Sequence, residues 1–436
     1  MKKSFVAMLI VLAVVVLVSP GIVGRLAEKS MDENLDWAAT ESQEIVVTSQ
    51  GFDRGWFSSA GQHRVELRQG ELREALLSVT DSGAGAELPV LIIDTQLDHG
   101  LVPVTSMTRD QGTLMPGLGS AVSKLSLEFG TDDRVELPGK VYSEVSLTGE
   151  LSSNYRLEPG SFTHAASTVN WGDSDILVTT DPSSSKIDFR SEIELLSVMT
   201  YDSDFSVSKI KIQGHQQPTK FGFSVGEVDL KVASATLPSP QGIETIGPIA
   251  VNTEAELHGD RVTGRTTMNL HNLPFGDLGA AGIAIDATVT DMDGVAIGNI
   301  TRVLKQLESY GSGDEAMLYM EDDLKRLLAK GFELQVEHLD VALPQGKLET
   351  RIDIAVAASD IDDFDWSAVL LALDARLDLR VPVELMDIAT EMDPQLNAAV
   401  GMGYLRKNGD VYEMKAAFED GLLTVNGAPM PIPGMQ

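Results

Sequence analysis

Residues 222–226 read Gly-Phe-Ser-Val-Gly, which matches the letters of a catalytic signature. A G-x-S-x-G sequence marks the nucleophilic serine of many hydrolases, where a sharp strand-to-helix turn lifts the hydroxyl above the sheet. His258, His271 and His338 lie downstream as formal bases. Apolar residues alternate with polar ones on both sides of Ser224, however, which is typical of a strand. The pattern therefore predicts a surface serine beside a β-bulge at Gly226, and a serine hydrolase is the weakest of the functional alternatives.

No spacing of potential ligands along the chain indicates a metal or a phosphate group. The seven histidines form no H-x-x-H or H-E-x-x-H pair, and the acidic groups at 360–365 and 291–294 do not complete a calcium loop. We expect solvated loops at both acidic groups. The glycines at 117–122 lack the third glycine of a dinucleotide loop. We therefore predict no catalytic, cofactor-binding or metal-ligating residues and no cofactor.

The composition narrows the class of protein. The chain has 436 residues, with 65 acidic against 33 basic residues and a formal net charge of −32. Such a charge repels phosphates, so a nucleic-acid partner is not expected. The absence of cysteine excludes disulfides, thiolate catalysis and cysteine-ligated metals. The length allows two or three domains, and 43% hydrophobic residues are typical of a globular chain.

The N-terminus carries an uncharged stretch from Ser4 to Gly24, preceded by Lys2 and Lys3. A helix of this length reaches about 30 Å, the thickness of a membrane's hydrocarbon core. It predicts a transmembrane anchor over residues 1–24, and a cleaved signal peptide is the alternative. Either reading places the body outside the cytoplasm. We expect a single-pass protein of the bacterial inner membrane, with its body in the periplasm.

The body of the chain has the two-residue period of β-strands. Leu125, Leu127 and Phe129 alternate with polar residues, as do several later segments. Changes of parity at Gly226, between residues 207 and 210, and between 338 and 339 predict β-bulges, which bend a sheet. The expected fold is mainly β with a few helices (α+β): a long, twisted, bent antiparallel sheet behind the N-terminal helix.

Helical periodicity appears at few places. The spacing predicts helices around residues 300–307, from Asp314 to Gly331, from Pro382 onward, and over 366–373. A short juxtamembrane helix is expected at 25–43. Two prolines and a glycine at 237–242 suggest a boundary, which gives an N-terminal β-rich half at 44–237 and a C-terminal α+β half at 238–436.

Three short motifs stand out without forming a catalytic set. They comprise an aromatic cluster, a His-Gly pair and a C-terminal hairpin with Asp-Gly and Asn-Gly turns, and their residues are Gly55, Trp56, Phe57, Ser58, Ser59, His99, Gly100, Asn426, Gly427 and Pro429. With the N-terminal anchor, their order resembles the YdgA-type family of bacterial proteins of unknown function. The resemblance implies inner-membrane attachment, a periplasmic body and no assigned enzymatic activity.

These observations favour a non-enzymatic envelope protein that acts in binding or scaffolding. The expected partners are the inner membrane, through the N-terminal helix, and envelope proteins or lipid. The alternative is a carrier of lipid or another hydrophobic ligand in a concave groove of the sheet, because repeated bulges would curve it. An apolar groove with an open face favours the carrier, whereas an interior filled by side chains favours the scaffold.

Overall fold

The computed structural model of the protein describes most of the chain after residue 44. The described residues are 45–54, 58–67, 73, 88, 90–99, 117–129, 133–146, 148–164, 167–181, 183–199, 204–239, 242–310, 313–359 and 366–430. The predicted membrane anchor and juxtamembrane helix lie outside them. None of the helices in these ranges is long and apolar enough to cross a membrane.

Strands dominate the described residues. They are β1 (Ile45–Arg54), β2 (Ser58–Leu67), β3 (Val90–His99), β4 (Gly117–Phe129), β5 (Asp133–Glu136), β6 (Lys140–Ser146), β7 (Leu151–Leu157), β8 (Gly160–His164), β9 (Ser167–Trp171), β10 (Ser174–Asp181), β11 (Lys186–Met199), β12 (Asp204–Pro218), β13 (Ser224–Ser239), β14 (Gly242–Ile246), β15 (Ile249–His258), β16 (Arg261–Pro274), β17 (Ala280–Asp293), β18 (Phe332–Leu343), β19 (Gly346–Val356), β20 (Leu373–Pro382), β21 (Arg406–Asn408), β22 (Val411–Glu419), β23 (Leu422–Val425) and β24 (Ala428–Met430). A mainly β fold with a large antiparallel sheet is confirmed.

Five helices interrupt the described strands. They are α1 (Gly294–Tyr310), α2 (Gly313–Lys330), α3 (Trp366–Ala372), α4 (Val383–Met392) and α5 (Gln395–Gly401). The first four coincide with the helices that the apolar spacing predicts. The sequence analysis missed α5, whose only large apolar residues are Leu396 and Val400, too few to show a helical period.

The described residues group into two compact units. Unit 1 comprises those among 1–217, 235–243 and 308–311, and unit 2 comprises those among 218–234, 244–307 and 312–436. Each contains an antiparallel meander, in which most strands pair with their neighbours in the chain. In unit 1 the order is β1-β2-β3-β4-β6-β7-β10-β11-β12. The hairpin β8–β9 attaches through β9 to β11, and β5 pairs with β4.

The interior of unit 1 is filled by side chains. Inward-facing residues from β1 to β11 form one buried cluster, for example Leu91, Leu127 and Ile176. Small hydroxyl residues interrupt it and pair with each other across strands, as Ser143 and Ser153 do at 2.8 Å. Unit 1 is therefore a packed core.

Unit 2 has its own meander in the order β13-β15-β16-β17-β18-β19-β20-β22-β23-β24, with β21 also paired to β22. The helices α1 and α2 follow β17, α3 precedes β20, and α4 and α5 lie between β20 and β21. The Asp-Gly and Asn-Gly turns predicted at the C-terminus join β22 to β23 and β23 to β24. All four turn residues have positive φ, as the tight hairpin turns require.

The predicted bulges have different outcomes. The register between β17 and β18 shifts by one residue next to His338, so that bulge is confirmed. The pairing of β13 with β15 begins at Gly226 and runs to Val232 without a shift, so it does not test the bulge predicted at Gly226 itself. Between Val207 and Ile210 the register with β11 stays constant, so the bulge predicted there is not found in this pairing, although Lys209 has a φ of 49°.

Candidate functional site

Ser224 does not lie on a nucleophile elbow. It is the exposed first residue of β13, and fifteen further residues of strand follow it rather than a helix. The turn before it is closed by Thr219, whose N–H and hydroxyl both donate to the carbonyl oxygen of Phe223. The surface position expected for the serine is therefore found.

The turn preceding Ser224 contacts α1. A Cβ placed on Gly298 would lie 2.2 Å from the backbone oxygen of Phe221, and one on Gly294 would lie 2.9 Å from its ring. Lys220 in the same turn pairs with Asp260 at 2.6 Å. The two glycines, four residues apart on one helix face, thus admit the turn, and the segment around the G-x-S-x-G sequence has a packing role.

The acidic group at 291–294 is structural, which corrects the expectation of a solvated loop. Asp293 is buried at the end of β17 and accepts hydrogen bonds from the Ala296 N–H (2.9 Å) and from Arg326 Nε (2.7 Å). Burial alone raises the pKa of Asp293, but the Arg326 guanidinium and the Ala296 N–H outweigh it and hold the pKa below its ordinary value. The carboxylate therefore ties α2 to the start of α1. The acidic group at 360–365 lies outside the described residues.

The remaining candidates from the sequence were a phosphate-binding loop and metal ligands. The glycines at 117–122 begin strand β4 and form no phosphate loop. Among the described residues, no group of three or more histidine and acidic side chains could hold a metal ion.

Two of the N-terminal motifs meet at one end of unit 1. Strand pairing places Ser58 opposite Asp98 and Ser59 opposite Leu97, while His99 pairs with Gly119. Asp98 and His99 are the last two residues of β3. Residues 55–57 and Gly100 lie outside the described chain.

The C-terminal motif has a clear structural role. Asn426 has a φ of 51°, and its side-chain amide donates to the carbonyl oxygens of Gly403 and Tyr404, both at 3.0 Å. Its side-chain oxygen accepts the N–H of Lys415 at 2.9 Å. Gly427 completes the turn, and the register then pairs Pro429 with Thr424. Asn426 therefore joins the hairpin to the segment after α5.

A polar depression of about 80 Å³ lies on one face of the unit 2 sheet. Its lining includes Asp340, which is 5% exposed and pairs with Lys347 at 2.9 Å, and His338, whose Nδ1 is 3.4 Å from the same carboxylate. Arg380 reaches Glu413 at 3.5 Å across the neighbouring strands. Most of these charges pair across strands, as on the solvated face of an antiparallel sheet.

The opposite face of the same strands is apolar and incompletely covered. Strand pairing sets two parallel rows of large apolar side chains across β13, β15, β16, β17 and β18, which we call the apolar stripe: Leu230, Val251, Met268, Ile285 and Leu339 in one row, and Val232, Ile249, Leu270, Ile283 and Val341 in the other. Every one of these side chains is half-buried. The apolar stripe thus differs from the fully buried interior of unit 1.

Helix α4 packs on β20 and β22, beyond the strands of the apolar stripe. Leu385 and Met386, which are 8% and 4% exposed, pack with Val381 and Leu405 in a separate buried cluster. Half-buried Leu343 and others from β18 to β22 pack against this cluster. The apolar face is therefore partly covered on β13 to β18 and well covered where α4 and α5 follow β20.

Sequence reasoning missed the apolar stripe as a unit. Alternation identified the strands, but the two rows depend on the register between five strands, which a single sequence does not give.

A family model for bacterial proteins of unknown function, DUF945, matches residues 1–433. The chain belongs to this family. No curated protein and no solved structure matches it. Membership in DUF945 agrees with the resemblance at the level of a bacterial family without an assigned activity.

Proposed function

We propose that this DUF945 protein is a non-enzymatic protein of the bacterial envelope that binds a hydrophobic ligand on the apolar stripe. In this proposal the N-terminal segment 1–24 anchors it in the inner membrane, with the body in the periplasm. The YdgA-type assignment within the family is part of the same proposal.

The main observation that supports the proposal is that the side chains of the apolar stripe are only half-buried. Large aliphatic side chains lose about 25 cal/mol of favourable free energy for each Å² left in water, so monomeric proteins rarely leave contiguous apolar patches exposed without a function. In the apolar stripe the residual exposure extends over ten neighbouring side chains on five strands. A ligand that covers them removes that surface from water.

The two faces of β16 offer a matched pair of variants. Met268 belongs to the apolar stripe, whereas the next residue, Asn269, is exposed on the opposite face. Full-length protein in native membranes is incubated with a phospholipid that carries a photoreactive acyl chain, irradiated, and digested. We expect labelled peptides from β15 to β18. Met268→Lys should reduce labelling at least tenfold, equal to about 1.4 kcal/mol of binding free energy, while Asn269→Lys leaves it intact.

Equal labelling of the two variants, or labelling confined to other segments, would contradict the proposal. Circular dichroism of both variants shows whether a lost signal reflects unfolding. If Met268→Lys unfolds the chain, Met268→Gln provides the same comparison with a smaller perturbation.

Scaffolding is the second candidate, and the interior of unit 1 favours it. Because side chains from β1 to β11 form a buried core, this proposal has unit 1 interact through its outer surface. Crosslinking of full-length protein in whole cells tests this role: a reproducible envelope-protein partner that persists in Met268→Lys would support scaffolding independently of ligand binding.

A further inference from the structure

We propose that β1 is an edge strand that acid releases: when His63 in β2 takes up a proton, β1 detaches from β2 and the core of unit 1 opens to water at this edge. The inference concerns unit 1 alone. It therefore goes beyond the proposed function, which lies in unit 2, and does not depend on it.

The imidazole of His63 is enclosed without a partner. His63 is 1% exposed on β2, and neither of its ring nitrogens has a hydrogen-bond partner. A neutral ring tolerates this position at a moderate cost, whereas a buried charge without a counter-ion costs far more. The closed arrangement of β1 and β2 therefore accepts the neutral ring and disfavours the protonated one.

The inward positions beside His63 on the neighbouring strands carry no charge. They are Val47 and Ser49 on β1 and Leu91, Ile93 and Thr95 on β3. The hydroxyl of Thr95 is already engaged, because it lies 2.8 Å from that of Ser123 on β4. In the buried cluster of unit 1, the titratable side chain among the described residues is Tyr155, whose hydroxyl donates to the carbonyl oxygen of Pro138 at 2.9 Å.

The charged residues of the same strands alternate with these positions and lie on the opposite face. There Arg64 pairs with Glu66 and Glu128, and Asp94 pairs with Arg134. Asp98 also has the opposite parity to Ile93. Since no carboxylate in the described part of the chain faces His63, burial alone sets the direction in which its pKa moves, and it lowers that pKa below 6.5.

Strand β1 is weakly held next to His63. Among the described strands it pairs with β2 alone, and the register shifts at Gln50, beside the pair of Ser49 with His63. Of the β1 side chains that the structure describes, Val47 is buried, whereas those of residues 48–51 are exposed. An edge strand with an interrupted ladder and little buried surface opens at a lower free energy than an interior strand. Because Ser49 is already exposed, a small movement of β1 brings the imidazole to water.

The size of the response follows from the two states of the ring. After release, His63 has its ordinary pKa of 6.5, whereas the pKa in the closed state is lower. The closed state is thus fully favoured above pH 6.5 and loses stability as the pH falls below that value. Between pH 7 and pH 5 this linkage raises the opening constant by at most about 25-fold, and by less where the closed ring also binds a proton.

Hydrogen exchange of the full-length protein at pH 7 and pH 5 tests the inference, with each rate divided by that of the unfolded chain at the same pH. We expect β1 peptides to lose roughly 5- to 25-fold in protection at pH 5, while peptides from β6, β7 and unit 2 keep theirs. In His63→Leu the protection of β1 should be the same at both pH values. His63→Gln, which also cannot take up a proton here, replaces it if the leucine variant fails to fold. His215→Leu alters a half-buried histidine of β12 in the same unit and should retain the wild-type response.

A single thiol gives a second measurement, since the chain has no cysteine. Val65 is buried on β2 opposite Val47, and Val262 is buried in unit 2. The reaction of Val65→Cys with 4,4′-dithiodipyridine, relative to that of Val262→Cys, should be faster at pH 5 than at pH 7. The addition of His63→Leu to both variants should abolish this difference.

The outcomes separate the steps of the reasoning. Equal protection of β1 at both pH values, or an equal loss in wild type and His63→Leu, would overturn the role of His63. Loss of protection in all strands of unit 1 together would overturn the local release of β1. None of these results affects the proposed function, which is tested on β15 to β18.

Discussion

Replacement of Arg326 by methionine should destabilise unit 2 by about 2–3 kcal/mol at neutral pH. Its guanidinium holds the buried Asp293 carboxylate through Nε at 2.7 Å and Nη2 at 3.3 Å. Breaking a buried ion pair costs about 3–5 kcal/mol, because the remaining charge is left uncompensated. We reduce this figure because the Arg326 side chain is 37% exposed and water can partly replace it.

The loss of stability in Arg326→Met should depend on pH. In the native protein the pKa of Asp293 is lowered, so the pair contributes stability above the ordinary value of 3.8 and loses it as the pH falls through the lowered pKa. In Arg326→Met the guanidinium no longer opposes burial, so the pKa of Asp293 should be higher than in the native protein and the variant should lose less stability in acid. The difference between the two proteins is therefore largest near pH 7 and narrows as the medium becomes acidic.

Hydrogen exchange of β17 and α2 peptides at pH 7 and at about pH 3, below the ordinary carboxyl pKa, measures this difference within unit 2. Lys325→Met is the matched control, because Lys325 on the same helix forms an exposed pair with Glu321 at 2.6 Å that contributes at most about 0.5 kcal/mol. Asp293→Asn should recover part of the stability of Arg326→Met. If Arg326→Met matches Lys325→Met at pH 7, or if its deficit does not narrow in acid, the structural role assigned to the pair is wrong.

Three other predictions concern stability. Burial lowers the pKa of His63 below 6.5, and neither ring nitrogen has a hydrogen-bond partner. The free energy of unfolding of the wild type should therefore fall as the pH drops below about 6.5. His63→Leu should remove this pH dependence in urea titrations and raise the free energy of unfolding by about 1–2 kcal/mol at pH 7. An unchanged slope would contradict this. Asn426→Ala should lower the free energy of unfolding by about 3 kcal/mol in the same assay, since three hydrogen bonds are lost. Asn426→Gly should lower it less, because glycine accepts the positive φ at this position. Equal losses in the two variants would contradict the argument from the positive φ. Gly298→Ala should lower the melting temperature because its Cβ would meet the oxygen of Phe221, while Gly401→Ala, with open space around it, should not; equal shifts would refute the packing role.

The sequence predicts the elements of this protein better than their arrangement. Alternation at Leu125 to Phe129 and apolar spacing at residues 300–307 are local signals, and strand β4 and helix α1 form where these signals place them. The turn residues Asn426 and Gly427 require positive φ, so the C-terminal hairpin is equally well marked. Each of these elements follows from a few adjacent residues.

Features that depend on register are not visible in one sequence. In the sequence Asp293 lies in a short polar stretch that is typical of a solvated loop. Only the position of α2 shows that the Asp293 carboxylate is buried and paired with Arg326. Ser58 and Asp98 lie forty residues apart, and their meeting depends on the β2–β3 pairing. The rows of the apolar stripe require four successive pairings, each of which a slip of one residue would invert.

The order of the strands affects how the protein can be made. Since most strands pair with the strand that precedes them in the chain, a growing sheet needs no segment that is still to be synthesised. Such hairpins can form one after another as the polypeptide leaves the ribosome or a translocation channel. Until its successor arrives, however, each newly added strand has one unpaired edge that can associate with other chains. A pause during synthesis would therefore favour aggregation, and a steady rate of elongation would protect the nascent sheet.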